Sequence, residues 1–126
     1  MQNRSITNHK QIKIRDRDCG YIQTIESVGF KAVEVEYFLD EDCRHQGIMS
    51  SEFPIYIREL ENRGYRNILA HVKENNFASK KILKRNGFKK FDQIRNIEVF
   101  VLLVGIDFKR GYLERVKAAI VNDFIF

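Results

Sequence analysis

Residues 34–50 hold the densest chemistry in this chain: Glu-Val-Glu-Tyr-Phe-Leu-Asp-Glu-Asp-Cys-Arg-His-Gln-Gly-Ile-Met-Ser. Glu34 and Glu36 share one face of an extended segment, because side chains alternate along a strand. Two carboxylates on a mid-sheet strand would be odd on a wholly dry face. The strand runs into a short polar turn, with Gly47 flanked by Arg44 and Ser50, and then straight into a helix. A helix start offers backbone N–H groups with no partner in the chain, plus the positive end of the helix dipole. Glycine there lets a phosphate approach the backbone. The combination is a pyrophosphate cradle and points to a nucleotide-like cofactor. His45 in this turn reads as a backbone contributor rather than an acid–base group.

The elements that must hold this turn are legible from periodicity. Residues 11–15 alternate around Ile12 and Ile14, and 21–28 form a second strand that pairs back as a hairpin. Residues 32–39 form a third, with Val33, Val35 and Tyr37 on one face and Glu34, Glu36 and Phe38 on the other. A helix is expected over 50–63 from the spacing of Phe53, Ile57 and Leu60, with Pro54 in its first turn and Gly64 as its stop. A strand at 66–72 follows, then a helix at 77–86 capped by Asn75-Asn76 and ended by Gly87. Strands at 88–94 and 96–104 come next, then a closing amphipathic helix over 111–123, within about 108–123. This order predicts one α/β (α+β) domain over 1–126 with a mixed, mostly antiparallel sheet and helices packed on it.

At 126 residues and 44% hydrophobic, the chain suits a single core, and it has no apolar run long enough for a membrane span. No secretory signal opens it, so cytoplasmic location is the expectation, with Cys19 and Cys43 as free thiols. The net charge of +5 is scattered, and its densest cluster, Lys80-Lys81, Lys84-Arg85 and Lys89-Lys90, reads as a solvated helix face. That argues against nucleic acid as a partner and for a polyanionic small molecule. No His/Cys/Asp spacing supports a metal; His71 reads as a strand histidine satisfied in place, and His9 as solvated.

Two segments together resemble a known family. Arg44-His45-Gln46-Gly47-Ile48-Met49 is similar to the Arg/Gln-x-x-Gly-x-Gly/Ala signature of the GCN5-related N-acetyltransferases, the GNAT family. The strand at 34–39 looks like the corresponding strand of its ribosomal-protein alanine acetyltransferase branch. Asn76-Phe77-Ala78-Ser79 through Ile82-Leu83-Lys84-Arg85-Asn86-Gly87-Phe88 resembles that branch's Asn-x-x-Ser…Leu-x-Lys-x-Gly-Phe motif. The motif-bearing core spans about 10–104.

The resemblance implies transfer of an acetyl group from acetyl-CoA to a primary amine by direct attack, with acetyl-CoA as cosubstrate and no metal. It puts the CoA pyrophosphate on backbone amides of His45, Gln46, Gly47, Ile48, Met49 and Ser50, with Arg44 beside it. Leu39 falls where the family's strand splays from its neighbour and receives the pantetheine arm. Asn76 and Ser79 match positions on that arm, and Lys80 or Lys81 would reach the 3′-phosphate. An ammonium must lose its proton before it attacks, so a carboxylate or a water held by one must be near. Glu34 matches the family glutamate, and Glu36 is the second candidate. The signature's third small residue is Met49 here, which would crowd the turn. Leu83 stands where many members carry an acid tyrosine, and Tyr37 and Tyr56 lack motif support. The family's opening strand and two helices are mostly lacking before residue 11, which leaves room for a homodimer or the segment after Gly105 to cover that face. A catalytically silent CoA-binding or assembly module is the alternative reading.

Overall fold

The alternation of β-branched and polar residues becomes a six-stranded sheet in the computed structural model, which describes residues 4–27 and 32–103. The elements run β1 (Arg4–Ile14), β2 (Arg17–Ser27), β3 (Ala32–Leu39), a 3-10 turn (Glu41–Cys43), α1 (Ile48–Asn62), β4 (Asn67–Lys73), α2 (Phe77–Arg85), β5 (Lys89–Ile94) and β6 (Ile97–Leu103). The strand order is β1-β2-β3-β4-β6-β5. Among the described residues only β3 and β4 pair in parallel, and α1 is the crossover that parallel neighbours require. The other pairings are antiparallel. The expected mixed, mostly antiparallel α/β architecture is therefore the observed one.

Both helices contribute to one core on one face of the sheet. Ile22, Val33, Val35, Ile68, Ala70, Val72 and Phe100 supply the sheet side, and α1 adds Met49, Phe53, Tyr56, Ile57 and Leu60 at helical spacing. Tyr56 is buried with its hydroxyl 2.6 Å from Thr24 Oγ1, which satisfies two buried polar groups at once. Cys43 donates to Cys19 with 2.7 Å between the sulfurs, and both are buried. That hydrogen bond, together with burial, pushes the Cys43 thiol up to about 11.

Two expectations shift. The first strand begins at Arg4, well before residue 11, because its polar N-terminal half is held by backbone pairing from Arg4↔Ser27 onward. Ile6 stands 60% exposed there, so burial periodicity had nothing to report. Helix α1 begins at Ile48, so Pro54 is its seventh residue rather than part of its first turn. The missing N–H leaves the carbonyl of exposed Ser50 to solvent, which makes the interruption tolerable. The closing helix expected at 111–123 lies outside the described residues. Gly64 and Gly87 do follow the two helices, after C-caps Arg63 and Asn86.

Candidate functional site

A groove of about 600 Å³ opens between the end of β3, the start of α1 and the face of α2. Its floor turn comes from Gly47, which caps α1 at φ 77, a left-handed conformation that favours glycine. No side chain caps α1, so its first amides are not used by a side chain of the turn. A Cβ on Gly47 would meet nothing within 4 Å, so the space over the turn is open. His45 also has a positive φ, 64, so the turn curls its backbone before the helix starts.

Of the residues that the resemblance assigns to the cofactor, Leu39, Arg44, His45, Gly47, Ile48, Met49, Ser50, Asn76 and Ser79 line the groove. Arg44 Nε donates to the Leu39 carbonyl at 2.9 Å, and its guanidinium lies 5.7 Å from the Phe38 ring centroid. Gln46 turns back instead, its amide donating to the Asp42 carbonyl at 2.9 Å. Asn76 Oδ1 accepts from the Ser79 amide at 3.2 Å, capping α2. Met49 is buried in the core, so its side chain anchors the first turn of α1 instead of crowding the phosphate turn.

Two placements differ from expectation. Lys80 does not line the groove: its ammonium sits 2.9 Å from Glu98 Oε2, with 15% of the side chain exposed. Lys81 and Arg85, one helical turn apart, are the cations that α2 brings to the groove wall. The parting of β3 from β4 comes immediately after Glu34↔Leu69, five positions before Leu39, which is paired to Gly20 of β2. Leu39 lies at the wide end of the gap rather than at its vertex.

Glu34 and Glu36 lie on the sheet face away from the helices, since Val33, Val35 and Tyr37 face the core. Glu34 Oε1 is 2.6 Å from His71 Nδ1, and Glu36 accepts from the Gln23 amide. Sequence reasoning left Tyr37, Phe38, Phe77, Ile82 and Arg85 out of the groove. The 3–4 spacing of 78, 81, 82 and 85 on α2 was the signal that could have found the last two. Tyr37 donates to the Ser79 carbonyl at 3.3 Å. Burial raises its phenol, the Ser79 bond opposes this, and the net shift is upward, so the group stays protonated at neutral pH. Asp40, Asp42 and Cys43 bring three potential ligand atoms within 4.8 Å of one another. Arg17 already holds the Asp42 carboxylate at 2.5 Å.

The Lys80–Glu98 pair yields a pH prediction. The Lys80 hydrogen bond lowers the Glu98 carboxyl below its ordinary 4.5, burial opposing it. A depressed folded-state value means stability that is full above 4.5 and lost as pH falls through the lowered value. Lys80→Met is expected to lower Tm at pH 7 by several degrees, because among the described residues Glu98 then keeps only Lys90, at 3.5 Å. Thermal melts from pH 7 to pH 3 should show a shallower acid slope in the variant. Coincident slopes would remove the pair from the stability account.

An acetyltransferase (GNAT) domain model matches residues 3–89. The fold is similar to an N-acetyltransferase from Staphylococcus aureus Mu50, at 20% identity and TM-score 0.67 over 75% of this chain and 66% of that one. It is also similar to RimL, a ribosomal L7/L12 α-N-protein acetyltransferase in complex with coenzyme A, at 20% identity and TM-score 0.66 over 79% and 63%. The ribosomal-protein-S18-alanine N-acetyltransferase from Escherichia coli aligns at 17% identity and TM-score 0.67 over 82% and 72%. The chain spans just under two thirds of the length of the first two. No curated protein sequence matches it. Among the described residues no helix is long and apolar enough to cross a membrane.

Proposed function

The chain belongs to the GNAT acetyltransferase family, and from that premise we propose that it binds acetyl-CoA in the groove and transfers the acetyl group to a primary amine by direct attack. One observation carries the reading: a 15-residue helix, uncapped by any side chain, starts from a left-handed glycine inside the groove. Its first amides and the positive end of its dipole suit a pyrophosphate. Lys81 and Arg85 on the facing wall suit the 3′-phosphate, in place of Lys80. The gap between β3 and β4 offers strand backbone to a pantetheine arm and to the thioester carbonyl. The carboxylate of Glu34, on the opposite face at the vertex of that gap, is placed to take the proton of an incoming ammonium. Tyr37, protonated on the groove wall, is a donor for the departing thiolate.

Ribosomal-protein acetyltransferases among the structural relatives make a free protein N-terminus the first acceptor to try, and a cytoplasmic setting goes with that choice. Calorimetry with CoA is expected to show micromolar binding; none at millimolar concentration ends this reading. Gly47→Val should raise Kd about ten- to hundredfold, roughly 1.4–2.7 kcal/mol. A β-branched residue strongly disfavours the left-handed backbone, and its methyls would stand in the space open over the turn. The sheet and core do not depend on this residue, so the melt should move only a few degrees. Unchanged affinity would take the phosphates away from this turn.

A further inference from the structure

β3 and β4 pair only through Ala32↔Asn67, Val33↔Ile68 and Glu34↔Leu69. Past that point β3 continues beside β2 to Leu39↔Gly20, while β4 continues beside β6 to Lys73↔Ile97. Glu34 is the last β3 residue before the strands part, and His71 is two residues past its partner Leu69, hence on the same face. Their side chains meet at the vertex, Nδ1 to Oε1 at 2.6 Å, with 16% and 13% of each exposed.

We propose that Glu34 and His71 together form the proton acceptor of the transfer, the proton ending on the imidazole. This rests on the acetyl-transfer reading above and adds a residue to it. The α-ammonium of a peptide loses its proton at about pH 8 and a lone glutamate takes one at about 4.3, a climb of roughly three and a half units. An imidazole starts at about 6.5, and an adjacent carboxylate raises it further. Moving the proton onto the pair therefore removes at least about two units, or 100-fold, from the unfavourable step. Atoms balance simply. The ammonium gives one proton to the pair, and the amine nitrogen forms a bond to the thioester carbon. The C–S bond then breaks with its electrons on the CoA sulfur, which takes a proton from Tyr37 and leaves as a thiol, while the second nitrogen proton returns to Tyr37 through solvent. The products are an amide, CoA thiol and a protonated pair, which releases its proton to solvent.

The charged or titratable groups sharing this face by register are Glu36 on β3, Lys73 on β4, Lys89 and Asp92 on β5 across β6, and, beyond Glu36, Tyr21 on β2 and His9 on β1. β2 contributes Gln23 and Ile25, and β6 contributes Val99 and Val101, none of them ionisable. Glu34, Glu36 and Asp92 outnumber Lys73 and Lys89 on this face by one, and Glu34 itself touches the ring, which favours a cationic acceptor and a protonated imidazole.

The first test needs no turnover. The His71 ring nitrogens, followed by NMR in ¹⁵N-histidine-labelled protein, should titrate at least one unit higher in wild type than in Glu34→Gln; equal midpoints overturn the pairing. The second is kcat against pH with peptides bearing free N-terminal amines. His71→Gln keeps an amide to hold Glu34 but cannot take a proton. Its kcat should fall at least tenfold with KM for acetyl-CoA within twofold, and the wild-type rising limb near neutral pH should vanish. Unchanged kcat and profile overturn the role of His71 while leaving acetyl transfer standing. A wild type that binds CoA yet acetylates no amine overturns both. If His71→Gln fails to fold by circular dichroism, His71→Asn replaces it, and the NMR comparison still decides the pairing.

Discussion

Glu34→Gln is expected to lower kcat by about 10²–10⁴, the usual worth of a positioned acid–base group, while the Kd for CoA stays within twofold. The substitution is nearly isosteric. The amide oxygen still accepts from His71 Nδ1, so the 2.6 Å contact keeps a hydrogen bond and the strands keep their register. What disappears is the negative charge that raises the imidazole and the carboxylate that accepts protons. Neither Glu34 nor His71 lines the groove, so cofactor binding has no reason to change. Steady-state kinetics at saturating acetyl-CoA, with calorimetry alongside, separates the two effects. A kcat within fivefold of wild type across pH 6–9 would leave Glu34 as a structural partner of His71. The same substitution at Glu36 should cost far less, because its amide partner Gln23 is a neutral residue and the pair lies beyond the vertex.

The contrast between these two glutamates shows what a linear chain reveals. Alternation over 32–39 was enough to place Glu34 and Glu36 on one face, and the structure keeps them there. Gly47 after a strand and before a helix was enough to locate the turn, because only local backbone chemistry is involved. The partner of Glu34 was not legible. His71 is 37 positions along the chain, since 71 − 34 = 37, and becomes a neighbour only because β3 and β4 pair in parallel through α1. Lys80 failed for the same reason. Its helix position suggested a groove cation, but Glu98 arrives beside it from β6, a strand whose neighbours follow from the sheet order. The early start of β1 was hidden differently: an edge strand held by main-chain pairing needs no hydrophobic period.

Phe53→Ala is expected to remove about 3–5 kcal/mol of folding stability, the usual cost of truncating a buried phenylalanine. Phe53 is 0% exposed, on the core face of α1. Its ring meets the edge of Tyr37 at 5.2 Å and tilts against Phe88 at 5.8 Å. Alanine leaves a hole that neither neighbour can fill without moving. A domain of this size holds only about 5–15 kcal/mol in all, so the variant sits near the threshold of folding. Phe53→Leu, which conserves most of the volume, should cost less than about 1.5 kcal/mol. The site is coupled to this packing, because Tyr37 also lines the groove and ties β3 to α2 through the Ser79 carbonyl. CoA at 100 times the wild-type Kd should therefore restore less than the roughly 2.7 kcal/mol that mass action gives an unperturbed site. Urea unfolding of the three proteins, with and without CoA, measures both quantities. A loss under 1 kcal/mol in Phe53→Ala would mean that α1 is not seated on the sheet as described. A full 2.7 kcal/mol of rescue would mean that the groove tolerates a loosened Tyr37.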